Sequence, residues 1–351
     1  MSLREDVTSL FVLRPAPGRI LIALQAAIAI GLPTVGFALA GRADLGLLAS
    51  SGAFTALFLV DRSRRARATY LPFVALGLIA AAALGAAASG SVASSIVMLF
   101  IVTLAASALS LSLSLGPPGA LFFILVAGVS SHLAAPTAIG GDGLSGLLIV
   151  GMIAIGAVLA YLVILAPLVV PSVRSRDFAV HADRVRMRFG FDHTTRVIFT
   201  RIAIAAAAAA MLAAPLGIHR AYWVMVAAVV ILQNGHRIKL TAIRAVHRVA
   251  GTILGVGLFA LVMLWNPHDL VLALLLVVLQ FAVEMVVVRN YGLALILITP
   301  LALTIAAQAG TSEVGVIVGE RFSDTLLGAV IATVVLLAAL AVMRWRGRNT
   351  A

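Results

Sequence analysis

From Ala68 to Gly141 the chain reads ATYLPFVALGLIAAAALGAAASGSVASSIVMLFIVTLAASALSLSLSLGPPGALFFILVAGVSSHLAAPTAIGG, 74 residues without one Asp, Glu, Lys or Arg. A helix needs about 20 apolar residues to cross a bilayer, so this one stretch has room for three spans. A transmembrane β-barrel would instead show runs of about ten residues alternating in polarity. The rest of the 351-residue chain has the same character, 62% apolar and only 11% charged, where a soluble domain carries about 25% charge. Cysteine is absent, which excludes disulfide frameworks, thiolate metal sites and thiol nucleophiles.

Charge clusters and Gly/Pro/Ser punctuation divide the chain into helices near 19–40, 44–60, 69–88, 92–115, 119–136 and 144–170, then near 199–215, 217–234, 245–265, 269–288, 290–309 and 322–343. Ile20 to Ala40 is too long for the core of a signal peptide, about 7 to 15 residues, and reads as the first span. The fold class expected is therefore all-α, a polytopic membrane protein of twelve helices. With the N-terminus inside, 22 of the 25 Lys and Arg fall on the cytoplasmic side and only Arg42, Arg220 and Arg321 fall outside, the bias that cytoplasmic loops carry. Both termini are then cytoplasmic. The net charge of +12 is mostly topology, and cations split among short loops are no footprint for nucleic acid.

The chain divides at the polar segment 171–200 into a first repeat, 1–170, and a second, 201–351. Each half opens on an Arg (Arg19, Arg201), follows with a short second helix, a basic cluster and a Gly-rich third helix. An even number of spans per half makes the repeat parallel, with a cavity expected between the halves. The short uncharged runs Leu45–Val60 and Ala221–Leu232 occupy matching positions, which points to a transport site or simply to a tilted helix.

The most informative chemistry lies between Gln233 and Gly255. Spacings of 4, 3, 4, 3 and 4 place Arg237, Thr241, Arg244, Arg248, Gly251 and Gly255 on one helical face. Guanidinium forks bind carboxylates bidentately and keep their charge, so the stripe suits an anion vestibule; a positive-inside anchor beside a Gly-xxx-Gly packing face explains it as well. Glu284 is the one carboxylate expected inside a span, either a proton-coupling group or a partner of Arg289 or of a cluster arginine. Tyr222 and Trp223 fit an interfacial aromatic belt or a surface for substrate stacking, and Gln233 closes the short second helix beside them. His132 and His219 read as interfacial polar groups or as sites that titrate near neutral pH. No P-loop, Gly-x-Ser-x-Gly elbow, His-Glu-x-x-His pair or Asp-rich metal motif occurs, so no enzyme, metal or cofactor is expected.

From Tyr222-Trp223 through the basic stretch to Arg248-Val249-Ala250-Gly251-Thr252-Ile253-Leu254-Gly255, the sequence resembles the fusaric acid resistance family, with Gly255 one residue early. Arg321, Asp324 and Gly328 are similar to the family's C-terminal pattern. The resemblance covers roughly 14–345 and implies a bacterial inner-membrane exporter, related to aromatic acid exporters and distantly to plant aluminium-activated malate channels. Longer members carry a cytoplasmic domain where this chain has only its short polar linker, and the first half lacks the Gly-Thr motif, reading Ala68-Thr69-Tyr70 after Arg67.

The function expected is a secondary transporter exporting small organic anions such as aromatic carboxylates. Arg244, Arg248, Thr241, Arg237, Tyr222 and Gln233 are its substrate-binding candidates, Glu284 its coupling group, and Gly251 and Gly255 its packing residues. An anion channel and a non-transporting scaffold subunit are the alternatives. The partners expected are the organic anion and the bilayer, with room for a homo-oligomer or a periplasmic adaptor.

Overall fold

The computed structural model describes residues 12–13, 15–180, 189–216, 218–233, 238–308 and 314–349, and among these every regular element is a helix. In chain order they are α1 (Arg19–Leu39), α2 (Ala43–Ala53, continued by the 3-10 turn Phe54–Leu57), α3 (Arg64–Ala87), α4 (Val92–Ser112), α5 (Leu121–Ala134), α6 (Gly146–Leu165), α7 (Pro171–Val180), α8 (His193–Ala213), α9 (Ile218–Leu232), α10 (Ile238–Leu264), α11 (Asp269–Val286), α12 (Tyr291–Gln308) and α13 (Val314–Asn349).

Local chemistry sets where these helices begin and end. Ser63 caps α3 by accepting from Ala66 N. Ser91 and Ser94 form a capping box at the head of α4, which satisfies two otherwise orphaned backbone donors. Asp192 accepts from Thr195 N at 2.8 Å, so α8 starts at His193, six residues before the apolar run at 199 suggests; the cap lets it begin in the polar linker. Beyond α1 the chain reverses at Gly41, whose φ of +70° is a conformation that side chains with a Cβ resist.

Among the described residues, eight helices are long and apolar enough to cross a membrane, and the apolar helices Ala43–Leu57, Leu121–Ala134, Ala221–Leu232 and Tyr291–Ile305 are shorter. Of the twelve helices expected, the second of each half reads as short in the sequence, and the fifth of each half is short as well. The second helix stops early because Phe58 turns extended and Leu59 takes a positive φ. α5 starts late because Gly116 and Gly119, both left-handed, hold a turn ahead of it.

The packing inverts that of a soluble protein. α1 exposes Ile20, Leu21, Leu24, Ile28 and Leu32 while burying Ala23, Ala26, Ala27, Gly31 and Thr34. Water would penalise that face, whereas lipid tails solvate it. Small residues inside bring backbones together, as membrane helices require in the absence of a hydrophobic drive between them. A Cβ on Gly52 of α2 would strike the Ile153 carbonyl of α6, and one on Gly156 of α6 would strike the Ala49 carbonyl of α2. Gly328 likewise seats α13 against Val224 and Ala227 of α9, and Gly251 and Gly255 seat α10 on Gly292, Leu295 and Thr299 of α12.

Helix neighbours follow a pattern. In the first half α1 packs on α2 and α6, α2 on α6, α3 on α5 and α6, and α4 on α5. In the second half α8 packs on α9 and α13, α9 on α13, α10 on α12 and α13, and α11 on α12. Between the halves α1 meets α11, α4 meets α8, and the short α5 meets the short α9. The chain is a multi-pass helical membrane protein.

Candidate functional site

The second half brings a group of polar and aromatic side chains into its interior. Arg248, on α10, is 3% exposed, and Arg321, on the first turns of α13, is also 3% exposed. Burying a guanidinium is costly and, within a membrane protein, is a mark of function. Arg321 lies over the Trp223 ring with its guanidinium carbon 3.5 Å from the centroid, the geometry in which a ring's quadrupole attracts a cation. Trp223 tilts against Tyr222, with ring centroids 4.9 Å apart.

Other groups complete the neighbourhood. Arg321 is within electrostatic reach of Arg248, Tyr222, Asp324 and Tyr291, so two like charges sit near one another. Asp324, fully buried one turn along α13, is the one carboxylate in that set. Tyr291, at the head of α12, is also within reach of Arg244. Among the described residues, Arg321 Nε and Nη1, Arg248 Nε, the hydroxyls of Thr252 and Thr325, and the Tyr291 hydroxyl have no hydrogen-bond partner. Such groups are ordinarily satisfied when buried. The free donors of Arg248 and Arg321 can receive a carboxylate, and the Trp223 ring beneath Arg321, with Tyr222 against it, offers an aromatic wall.

The other sequence candidates are placed differently. Arg244 lies half-buried on α10. Thr241 belongs to the same helix, but its side chain and all of Arg237 fall outside the described residues, as does the side chain of His219. Gln233 spends its amide on the turn before α5, accepting from Ala120 N at 3.2 Å and donating to Pro118 O at 3.1 Å. Gly251 and Gly255 lie at the α10–α12 contact.

Glu284 forms a second centre. Its Oε2 accepts from Arg19 Nη2 at 2.6 Å while Arg19 Nε donates to its carbonyl at 2.8 Å. Gln280 Nε2 reaches Oε1 at 3.5 Å. Arg67, buried on α3, donates to the Ala56 carbonyl at 2.6 Å and stands within electrostatic reach of Glu284. The partner of Glu284 is thus Arg19, from the other half of the chain, with the cluster arginine Arg67 nearby, rather than Arg289.

Trp223 as a cation's seat, and Arg321 and Asp324 as members of the site, were not derivable from the basic stripe on α10. Two signals did exist, and the first is the likeness of Arg321 and Asp324 to the family's C-terminal pattern. The second is that Arg321 is among the three cations that defy the inside bias, and a charge misplaced for topology needs another reason to be there.

Comparison with known proteins bears on the same region. Residues 195–335 match the profile of the family described as fusaric acid resistance protein-like. A Bacillus subtilis (strain 168) protein described as the uncharacterized membrane protein YvaC is 32% identical over 148 residues, 41% of this chain. The matched part spans 23% of that relative's length. No solved structure matches. From residue 195 to 335, the part that holds Tyr222, Arg248 and Arg321, the chain is similar to fusaric acid resistance-like membrane proteins.

Proposed function

We propose that the chain is a secondary transporter that carries small organic anions, aromatic carboxylates in particular, out of a bacterial cytoplasm across the inner membrane. The observation that carries this reading is the pair of buried guanidinium groups, Arg321 on the Trp223 ring and Arg248 within its electrostatic reach. The carboxylate bridges the two arginines, whose mutual repulsion it relieves, and its ring packs on the aromatic side chains. Arg244, and Arg237 and Thr241 before it on the same face, draw the anion in from the cytoplasmic side. Likeness to fusaric acid resistance-like proteins over this region supports the substrate class.

The reading treats 1–170 and 201–351 as parallel six-helix repeats joined by the linker 171–200, with both termini cytoplasmic. Its support is the matching of neighbours: each packing contact named within α1–α6 recurs seven helices later within α8–α13. The short helices occupy second and fifth place in each half, the positions where discontinuous or short segments build a transport site. Glu284 acts as the coupling group by exchanging Arg19 for a proton, which frees a contact between the halves.

A second reading, a passive anion channel, is favoured by one observation: Glu284 is already engaged by Arg19 and Gln280, a structural employment that needs no proton cycle. Cells expressing the chain should accumulate less radiolabelled benzoate than cells expressing Arg248→Gln/Arg321→Gln at equal membrane abundance. Equal accumulation contradicts the site. A benzoate gradient that Glu284→Gln leaves unchanged favours the channel.

A further inference from the structure

The two contacts between the first helix of one half and the fourth helix of the other are alike in position and unlike in charge. Where α1 meets α11, Arg19 is neutralised by Glu284. Where α8 meets α4, the arginine is Arg201, 4% exposed, and its Nε and Nη1 have no hydrogen-bond partner among the described residues. No carboxylate among the described residues pairs with it. α4 presents instead Thr103, Ser107 and Ser110, buried on one face at spacings of four and three. The Thr103 hydroxyl reaches Met225 Sδ of α9 at 3.8 Å, so this face turns toward α9, on which α8 also packs. The Ser107 and Ser110 hydroxyls have no partner among the described residues.

The register places Arg201 at least about 12 Å along α8, level with Thr103 and one side-chain length above Ser107. Gly190 N, just before α8, donates to Ser112 O at the end of α4 at 2.9 Å. From there α8 climbs while α4 descends, and Ser107 stands about 7 Å along the axis from Ser112 at 1.5 Å per residue. Arg201 lies two turns into α8, and helical side chains lean toward the N-terminus, which lowers its guanidinium toward the serines. Arginine keeps its charge in proteins. A buried fixed positive charge on a helix packed against one that carries unpaired buried hydroxyls, at the contact whose counterpart holds a carboxylate, has the chemistry to take up an anion.

We propose that Arg201, Ser107 and Ser110 bind a small monovalent anion, chloride or a small carboxylate, between α4 and α8. This site is separate from the Arg248–Arg321 pair, for Arg201 is not among the charges within reach of Arg321. The bound anion does at this contact what Glu284 does at the other, and makes the packing of the two halves depend on anion concentration.

The test is the melting temperature of the purified full chain in detergent, with sodium gluconate exchanged for sodium chloride or sodium benzoate at constant ionic strength. A ligand bound only by the folded state raises its stability in a saturable way. Wild type and Arg248→Gln should both show a saturable rise with chloride, and Arg201→Met should show none. Ser107→Ala/Ser110→Ala should shift the midpoint to at least several-fold higher chloride. Ser107→Asp should melt higher than wild type in gluconate and lose the chloride response, since it supplies the carboxylate internally. A rise with benzoate alone that Arg201→Met abolishes and Arg248→Gln retains assigns the same site to a carboxylate. A chloride rise that survives Arg201→Met, or no rise with chloride and none with benzoate that Arg201→Met abolishes, overturns the proposal; a benzoate rise that persists in Arg201→Met and is lost in Arg248→Gln belongs to the Arg248–Arg321 pair instead.

Discussion

Replacing Glu284 by Gln removes the only carboxylate among the described residues that pairs with Arg19 and leaves two buried guanidinium groups, Arg19 and Arg67, near an amide. Both partners of the ion pair are more than nine-tenths buried, so water compensates neither well. Breaking such a pair by removing one side costs about 3–5 kcal/mol, roughly a 10²- to 10⁴-fold fall in the ratio of folded to unfolded protein at about 1.4 kcal/mol per decade. Arg19→Gln should cost less, because Glu284 keeps Arg67 within reach and Gln280 beside it. The double variant should then be more stable than Glu284→Gln alone, since it removes one of the two orphaned cations. Coupling of about 1–3 kcal/mol is expected from the cycle, read by equilibrium unfolding in mixed micelles. If Glu284→Gln lies within about 0.5 kcal/mol of wild type, the usual effect of an uninvolved surface change, the reasoning fails. The exposed pair Arg42–Asp44 is the control: its carboxyl is held below the usual range by the Arg42 hydrogen bond, yet Asp44→Asn should leave the unfolding curve in place, because solvent screens it.

Three further outcomes follow from the packing and the loops. Gly52→Leu should sharply reduce the yield of folded protein by size exclusion, because its Cβ has no room against the Ile153 carbonyl; a normal elution profile would mean that α2 and α6 are not so close. Gln233→Ala should lower stability by about 1–3 kcal/mol for its two bonds to the 118–120 turn, while transport per folded molecule stays as in wild type. Burial raises the Asp142 carboxyl above its ordinary range, so the folded state resists its ionisation. Its contribution is most favourable at acid pH and declines as pH rises through the unfolded-state value, and Asp142→Asn should therefore gain on wild type at neutral pH and lose that gain near pH 3 in thermal melts.

The membrane class and the principal helices were legible in residues 68–141 because charge is so expensive in lipid that its absence over 74 residues admits little else. The basic face of α10 was legible too, since a helix running from Ile238 to Leu264 holds Thr241, Arg244, Arg248, Gly251 and Gly255 at the spacings that the sequence displays. Helix lengths were less so. Apolar composition cannot distinguish a helical residue from the 3-10 end of α2, and Asp192 extends α8 into what reads as linker. The partner of Glu284 lies 265 residues away on another helix, a pairing that no local spacing encodes. Arg321 and Trp223 are likewise joined only by the packing of α13 on α9.

The central claim is tested most directly by flux of radiolabelled benzoate into proteoliposomes containing the purified chain, with and without an imposed pH gradient. The account predicts uptake above protein-free vesicles, accumulation beyond equilibrium when the gradient is present, and loss of both in Arg248→Gln/Arg321→Gln reconstituted at the same density. Wild-type flux that equals the protein-free control, or flux undiminished in the double variant, would contradict it.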